Sequence, residues 1–497
     1  MSLIQHGFRI GLLMAGVAGL FVWSSHHSEV SFADGLRYIR QAERIDQGKL
    51  TDGLLRSVDH PMHPLAMVAA HRIIGGERPI AWQRAATAAA MAAGVLLIIP
   101  LYLVALEIYG PPTAWIGCLL IAASPLVGFL VINILSESTF LVFWTWGLWA
   151  AIRFLREGRF HWLPVTIGFS GLAYLTRPEG LLLPLALVAT LILLPLHRAT
   201  RINWPRWWAA IGFLVLGPLC LVGPYMAIKG GIGTKPSIAR LIGTAPKSAP
   251  NALERDRPLP PEQTTFETYL QATRRMLKAF RGAIRTPLLP LVILGLVMAR
   301  PWTARARIWL FTGIIVIASA LALVRLHATG GYCTARHALV PGMLLSLAAA
   351  HGLAWLMRSV VIDGRWFGRA EERFRPGPAV WAALLAVLVA SPYSRAMTPS
   401  KGSFDVYREA GSWIAQKKAV EHGKVLDLTD WTLFFSQTGP DQSFNFANLY
   451  WGVVDPTTRW VVVREAHVKC HWQYSRAVQD LIGNREPVAT FPPHPAP

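Results

Sequence analysis

The sequence predicts an all-α polytopic membrane protein with a small α/β domain at its C-terminus. Of the 497 residues, 53% are hydrophobic and only 15% are charged, which departs from the composition of soluble domains. About eleven apolar runs approach the roughly 20 residues that a helix needs to cross the hydrocarbon core. From about Ser400 the chain becomes polar, and helix-like segments alternate with strand-like ones.

The apolar runs define the predicted transmembrane helices. They cover about residues 7–23, 86–108, 113–133, 137–155, 162–176, 180–196, 207–228, 286–300, 308–326, 338–357 and 378–393. Several are short, and two are separated only by the sequence RPEG. The first run could instead be a cleaved signal peptide, but FVWSSHHSEV offers no small-residue cleavage site, which favours a retained first span.

The formal net charge of +20 is typical either of a nucleic-acid binder or of a polytopic protein with basic cytoplasmic loops. The position of the charges decides between the two. With the N-terminus in the cytoplasm, the short inner loops hold a series of arginines: Arg156, Arg159, Arg198, Arg201, Arg206, Arg300, Arg305, Arg307, Arg358, Arg365, Arg369, Arg373 and Arg375. The short outer connections hold only Arg177 and Arg336. We therefore expect no nucleic-acid partner.

This topology predicts a transmembrane domain over 1–393 and a C-terminal domain over 394–497. External loops cover 24–85 and 229–285, and the C-terminal domain lies on the same extracytoplasmic side. That domain shows a helix-like FDVYREAGSWIAQKKAVEH, strand-like KVLDL and RWVVVRE, a second helix-like WQYSRAVQDLIG and a loose tail, FPPHPAP. It lacks a glycine-rich phosphate loop, so we predict an accessory domain rather than a second enzyme.

Five charged residues fall on the predicted outer face, although they come from distant parts of the chain: Asp34, Glu137, Arg177, Glu179 and Arg336. Each has a structural alternative. Asp34 shares a helical face with Arg37, Tyr38 and Gln41, but with Ser31 it also fits a capping box. In TRPEG, Arg177 could hold a phosphate with Glu179 orienting it, or the segment is only a polar turn.

Further polar candidates surround these five residues. Glu137, in SESTF, fits a first-turn acid of a helix, and Arg336, in GGYCTARHALVP, fits an interfacial anchor beside Tyr332 and His337. His60 and His63 in HPMHP could be metal ligands or a proton relay. Because prolines interrupt the pair, a rigid turn-rich segment is favoured. We expect no bound metal.

The four cysteines, Cys118, Cys220, Cys333 and Cys470, show neither a CxxC pair nor zinc-ligand spacing. They define no disulfide framework. Cys333 and Cys470 are both expected outside the cytoplasm, where a disulfide is conceivable, but two free thiols are favoured.

A succession of short segments carries a family resemblance. Asp34, Tyr38, Ala42 and Gly48 are followed by HPMHPL, PLYLVALEIYG, SPLVGF with SES, YLTRPEGLLLPLAL and TARHALVPGMLL. In order and spacing, about residues 7–357 resemble the GT-C superfamily of integral-membrane glycosyltransferases. More narrowly, they resemble bacterial relatives of the dolichyl-phosphate-mannose-protein mannosyltransferase family, glycosyltransferase family 39. The chain departs from the paired acids common in that family, since Gly35 follows Asp34.

The resemblance implies a polyprenyl-phosphate sugar donor and a catalytic acid in the first external loop, with no cofactor. On that basis Asp34 is the expected base, and Arg177 and Arg336 are expected to bind the donor phosphate. Tyr38, His60, His63, Glu137, Glu179, Tyr332 and His337 are expected to support them. The expected reaction is a single inverting displacement in a bacterial inner membrane, onto an acceptor lipid, glycan or protein. Membrane lipids are the other expected partners.

Three rival functions fit parts of the same pattern. A transporter or a flippase of lipid-linked sugars would handle the same donor without consuming it. Transporters tend to carry internal repeats and midplane polar groups, and the sequence shows no convincing repeat. A polysaccharide ligase would also use a polyprenyl-linked sugar. The third rival is a non-catalytic assembly or sensor protein whose external domain binds a partner.

Overall fold

The computed structural model describes residues 2–27, 33–76, 79–196, 203–232, 266–299, 306–331, 333–361, 404–445, 449–464, 475–483 and 485–491. Up to residue 361 the described segments are helical. The helices are α1 (Leu3–His27), α2 (Ala33–Asp46), α3 (Met62–Ile74), α4 (Ile80–Leu96), α5 (Ile98–Ile108), α6 (Pro111–Ala122), α7 (Pro125–Ile132), α8 (Glu137–Glu157), α9 (Trp162–Tyr174), α10 (Leu182–Leu193), α11 (Trp204–Lys229), α12 (Phe266–Ile284), α13 (Leu289–Met298), α14 (Ala306–Gly330) and α15 (Leu339–Val361).

A helical fold with several apolar helices is confirmed, but the count of eleven spans stays a prediction. In the described part of the chain, six helices are long and apolar enough to cross a membrane, or up to eight if each of two bent pairs forms one span. The six are Leu3–His26, Ile80–Ile108, Glu137–Glu157, Trp204–Lys229, Ala306–Gly330 and Ala335–Ser359. The bent pairs are Pro111–Ala122 with Pro125–Ile132 and Phe266–Ile284 with Thr286–Met298.

Three predicted spans differ in the structure. The run 162–176 forms α9, of 13 residues, and the run 180–196 forms α10, of 12 residues. The run 286–300 contains α13, of ten residues. These helices are shorter than the roughly 20 residues of a full crossing. Buried short helices are as apolar as spans, so hydropathy alone does not separate them. The predicted span 378–393 lies outside the described residues.

Close backbone contact joins α13 to α15. A Cβ built on Gly295 would lie 1.8 Å from the carbonyl oxygen of Ala348, and one on Gly352 would lie 2.2 Å from that of Leu291. Only glycine allows two helices to approach this closely. The crossing fixes α13 against α15 and thereby places the preceding α12 beside the N-terminal end of α15.

The far end of α8 carries a separate charged cluster. Arg153 donates to the Glu107 carboxylate at 2.8 Å, and Arg156 donates to the other oxygen of the same group. Glu107 is buried near the end of α5, so the cluster ties α5 to α8. This position is consistent with the basic inner end that the sequence predicts.

The C-terminal segments combine helices with a parallel sheet. The elements are α16 (Phe404–Val420), β1 (Lys424–Asp427), α17 (Trp431–Phe435), β2 (Ser443–Asn445), α18 (Leu449–Val454), β3 (Thr458–Val462) and α19 (Ser475–Ile482). The strand order is β2–β1–β3, with Val425 opposite Ser443 and Leu426 opposite Val461. The predicted strands KVLDL and RWVVVRE correspond to β1 and β3, whereas β2 was not predicted. Of the predicted tail FPPHPAP, only Phe491 is described.

These C-terminal elements pack on the helical part. The indole of Trp431 is fully buried in the same apolar cluster as Leu36 and Ile39 of α2. Arg408 of α16 also donates to the side chain of Gln83 at 2.9 Å. Because the two parts share a core cluster, a self-contained C-terminal domain over 394–497 stays a prediction.

Candidate active site

The carboxylate of Asp34 lies in the first turn of α2, between two arginines. One oxygen is 3.1 Å from Nη1 of Arg336 and the other is 3.1 Å from Nη2 of Arg37. Asp34 and Arg336 are 302 residues apart in the chain. The structure thus brings together two residues that the sequence placed on one membrane face. The expected capping partner, Ser31, lies outside the described residues.

Glu137 lies between the two predicted phosphate-binding arginines. Its Oε1 atom is 2.7 Å from Nη1 of Arg177 and 3.9 Å from Nε of Arg336. The side chain of Glu137 is only 3% exposed, at the start of α8. Arg177 also contacts Glu179, with Nη2 2.7 Å from Oε1. One buried carboxylate therefore contacts both guanidinium groups, and one of these, that of Arg336, also contacts Asp34.

The ion pairs form a continuous series, which we call the charge row. Its members are Asp59, Arg37, Asp34, Arg336, Glu137, Arg177 and Glu179. Acids and bases alternate along it, so each guanidinium has carboxylates on both sides. Burial works against the charge of Arg177, but Glu137 and Glu179 outweigh it and raise the pKa of this guanidinium well above its usual range. The row keeps its cations charged.

Two tight turns present the arginines. Arg177 precedes a 3₁₀ turn, Pro178–Leu181, which folds back onto the end of α9. A Cβ on Gly180 would lie 2.2 Å from the backbone nitrogen of Tyr174, and Ser170 donates to the Gly180 carbonyl at 2.7 Å. The glycine of RPEG is therefore required for this close approach. The structure confirms that the segment is a tight turn, and the role of Arg177 in binding a phosphate stays a prediction.

Arg336 is presented by a second 3₁₀ turn, Ala335–Ala338. Thr334 and His337 form a reciprocal capping box at its start, with Nδ1 of His337 2.9 Å from Oγ1 of Thr334. His337 is thus part of the turn that fixes its neighbour Arg336. The other expected contributor from this segment, Tyr332, lies outside the described residues.

Asp59 is a member of the charge row that sequence reasoning missed. Its side chain is 1% exposed and pairs with Nε of Arg37. Burial disfavours the charge of Arg37, but Asp59 and Asp34 outweigh it and raise the pKa of that guanidinium. The ammonium of Lys229 donates to the backbone oxygen of Asp59 at 3.0 Å and to the Tyr225 hydroxyl at 2.9 Å. The signal in the sequence was an acid directly before HPMHP.

The two histidines of HPMHP contact different helices. The His60 ring packs against those of Tyr174 and Tyr225, with centroids 5.0 and 5.9 Å away. His63 instead faces α8, where its Nδ1 is 2.8 Å from Oγ1 of Thr139. In the described ranges, no group of three His, Cys, Asp or Glu side chains is arranged to hold a metal ion. The absence of a metal stays a prediction.

Tyr38 and His63 connect α2 and α3 to α8 behind the charge row. The Tyr38 hydroxyl is 3.0 Å from Oγ of Ser136, and its ring meets that of His63 edge to face at 5.2 Å. Nε2 of His63 donates to the backbone oxygen of Ile134 at 3.2 Å, so Nδ1 accepts from Thr139 in the neutral ring. Both predicted supporting residues therefore brace the helix that carries Asp34.

We expect His63 to make stability depend on pH. Burial lowers its pKa from 6.5 to about 4, so the unfolded chain binds the extra proton between these values and stability falls as pH falls from 6.5. From pH 7.5 to 5.0 the loss should be about 2 kcal/mol. Thermal unfolding in detergent should show a smaller pH shift of the midpoint for His63→Gln. The exposed His422→Gln should retain the wild-type shift, and an unchanged shift in His63→Gln would contradict the assignment.

The cysteines add no chemistry to the charge row. Cys118, Cys220 and Cys333 form no disulfide with one another, and Cys470 lies outside the described residues. The considered pairing of Cys333 with Cys470 therefore stays untested, as does the favoured pair of free thiols.

Comparisons with known proteins find one matching family model and several solved structures with a similar fold. Residues 59–221 match the family model described as dolichyl-phosphate-mannose-protein mannosyltransferase. The apo oligosaccharyltransferase of Archaeoglobus fulgidus superposes with a TM-score of 0.58 at 14% identity, covering 91% of this chain and 66% of the other. ArnT from Cupriavidus metallidurans, bound to undecaprenyl phosphate, gives a TM-score of 0.56 at 16% identity, covering 93% and 90%. No curated protein matches the sequence.

The chain shares its fold with these two solved structures, which are GT-C glycosyltransferases. The resemblance seen in the sequence is therefore confirmed at the level of fold. The chain spans slightly less than two thirds of the archaeal oligosaccharyltransferase and most of ArnT. The family match includes Glu137 and Arg177, whereas Asp34 and Arg336 lie outside it. The GT-C fold unites these four residues at one end of its helices.

Proposed function

We propose that the protein is a membrane glycosyltransferase that moves a sugar from a polyprenyl-phosphate donor to an acceptor hydroxyl at the extracytoplasmic face. The proposal rests on the contact between Asp34 and Arg336. The carboxylate of Glu137 links Arg336 in turn to Arg177. An acid beside two cations is what glycosyl transfer from a phosphate requires. The similar structures support the donor class, because ArnT is bound to undecaprenyl phosphate and the Archaeoglobus fulgidus oligosaccharyltransferase, AglB, has been solved in complex with a dolichol-phosphate.

Asp34 is assigned as the general base. Its carboxylate takes the proton of the acceptor hydroxyl while the acceptor oxygen bonds to the anomeric carbon. The bond from that carbon to the phosphate oxygen breaks in the same step, and the configuration inverts. Asp34 is suited to this role because its side chain is 21% exposed, which leaves room for an acceptor.

Arg336 and Arg177 are assigned to the donor phosphate. The leaving polyprenyl phosphate gains negative charge as the sugar departs, and fixed guanidinium groups stabilise that charge. Both side chains are partly exposed, at 24% and 17%. Glu137 is the positioning residue that keeps the two aligned. Glu179, Tyr38, His60, His63, Tyr332 and His337 are assigned supporting roles.

The proposed setting is a bacterial inner membrane with a cytoplasmic N-terminus. The acidic and basic site residues then face outward, and the Glu107 cluster lies toward the basic inner loops. The helical part crosses the membrane about eleven times, and residues 394–497 form an accessory domain on its extracytoplasmic side. The acceptor is a lipid, a glycan or a protein. No cofactor is needed for the displacement.

The test is donor consumption by purified protein in nanodiscs. Radiolabelled mannosyl- and glucosyl-phosphoundecaprenol are supplied with bacterial envelope extract as a mixed acceptor. We expect release of undecaprenyl phosphate and label in a second product. In sealed vesicles, appearance of intact donor on the opposite leaflet without undecaprenyl phosphate would overturn the proposal in favour of a flippase.

A further inference from the structure

The helix α12, Phe266–Ile284, lies nearly at right angles to the segment that follows it in the chain. It is bent by 86° relative to the segment that follows, Thr286–Met298, which packs along α15 through the Gly295–Gly352 contact. A helix at right angles to packed apolar helices lies along the membrane surface rather than through it. Its environment is therefore the boundary between headgroups and acyl chains.

One side of α12 is occupied by the protein. Ala272 and Ala279 are buried, and Ala279 packs in a cluster with Leu323 of α14 and Ala338 of the turn that carries Arg336. A Cβ on Gly282 would lie 3.0 Å from that of Ala335 in the same turn. The inner face of α12 thus supports the turn that carries Arg336, in the middle of the charge row.

The opposite side carries an exposed apolar ridge. Phe266, Leu270 and Leu277 are 83%, 42% and 58% exposed. At 100° per residue they fall within about 40° of one another, whereas Ala272 and Ala279 lie roughly 120° or more away. Large side chains aligned in this way are costly in water and are stable in the acyl boundary.

A basic strip follows this ridge. Arg274 and Arg281 lie about 60–80° from Phe266 around the helix, with Lys278 about 120° away. Together with Arg275 they are the four basic residues of α12, which contains one acid, Glu267. All four basic side chains belong to exposed residues. An apolar ridge beside a basic strip is complementary to a negatively charged membrane surface.

We propose that the exposed face of α12 binds anionic phospholipid headgroups beside the charge row. Phe266, Leu270 and Leu277 enter the acyl boundary, and the three strip residues Arg274, Lys278 and Arg281 bind headgroup phosphates. Charge complementarity identifies the occupant as anionic lipid, since a protein partner would have to cover an apolar ridge already lying at membrane level. This surface is independent of whether the protein transfers sugars.

The first arm of the test measures depth. A spin label is placed at Leu277→Cys, and separately at Arg275→Cys, in a full chain whose four natural cysteines are replaced by alanine. In vesicles containing phosphatidylglycerol, we expect the label at 277 to be accessible to oxygen and protected from a water-soluble nickel chelate. The label at 275 should be accessible to the chelate. Equal chelate access at both positions would overturn the proposal and leave the face to another occupant.

The second arm measures lipid preference. In nanodiscs of equal phosphatidylglycerol and phosphatidylcholine, native mass spectrometry gives the ratio of the two lipids retained on the protein. In the variant Arg274→Gln/Lys278→Gln/Arg281→Gln, the ratio of retained phosphatidylglycerol to phosphatidylcholine should fall at least about fivefold. The charge-matched control Lys417→Gln/Arg459→Gln/Arg485→Gln, on the C-terminal elements, should retain it. Equal preference in the two variants would overturn the proposal.

A wild-type measurement keeps the test decisive if the triple variant fails to fold. Raising the salt to about 1 M shortens the screening length to about 3 Å, so the preference should fall severalfold. A preference that does not change with salt would rule out a charge-based lipid surface. None of these readouts uses a sugar donor, so failure of the proposed transferase function would leave this inference standing.

Discussion

Asp34→Asn is expected to lower turnover of the lipid-linked donor by about 10³-fold, because the amide cannot accept the acceptor's proton. The variant should still fold, since an asparagine side chain fits the same place and its single carbonyl oxygen can accept a hydrogen bond from one of the two arginines, Arg336 or Arg37. Donor binding should remain, because both phosphate-binding guanidinium groups are intact. The expected pattern is therefore a fall in kcat with little rise in donor KM, measured as release of undecaprenyl phosphate.

Asp46→Asn is the matched control for this prediction. Asp46 lies at the other end of the same helix and pairs with Arg72, which is largely exposed. Surface pairs of this kind contribute little to stability, so the control should retain wild-type turnover. If Asp34→Asn turned over the donor at the rate of Asp46→Asn, the assignment of the base would be wrong.

The core of the charge row could be predicted because its members stand where apolar runs begin or end. Glu137, Arg177 and Arg336 each mark such a boundary, and the distribution of loop arginines places those boundaries on one face. Antiparallel helices then bring the boundaries together. Long apolar runs fix this arrangement, so topology alone predicted that residues as distant as Asp34 and Arg336 lie on one face, and the structure shows that these two are in contact.

Other members of the site depend on packing that the sequence does not display. Asp59 and Lys229 are both buried, and they meet only because the segment before α3 lies against the end of α11. Neither residue type is expected inside a protein unless it is paired. Their pairing became visible only with the structure.

The packing of the C-terminal elements on α2 limits what a deletion can show about the rival function, a non-catalytic assembly or sensor protein. Deleting everything beyond Ser400 would remove Trp431 and Phe434 from the cluster they share with Leu36 and Ile39. It would also break the contact between Arg40 of α2 and the backbone oxygen of Asp430. The apolar back of the helix carrying Asp34 would then face water. Lost activity after this deletion would not separate a partner-binding domain from a support for α2, whereas retained activity would still argue against the rival.

Arg336→Ala is expected to reduce kcat/KM for the donor by about 10²- to 10³-fold, the effect of removing one fixed donor from developing negative charge. Unlike Asp34→Asn, this change should raise donor KM as well as lower kcat, because the guanidinium contacts the phosphate before and during transfer. It also removes the cation between Asp34 and Glu137. Two carboxylates would then repel the incoming phosphate.

Arg336→Lys distinguishes a phosphate contact from a structural one. An ammonium retains the charge but lacks the planar fork that reaches Asp34 and Glu137 at once, so it should recover part of the donor affinity and less of kcat. Arg72→Ala, at an exposed position, should leave both parameters unchanged. If Arg336→Ala lowered only thermal stability while the remaining folded protein kept its donor KM, Arg336 would be a positioning residue for Asp34. The donor phosphate would then depend on Arg177 alone.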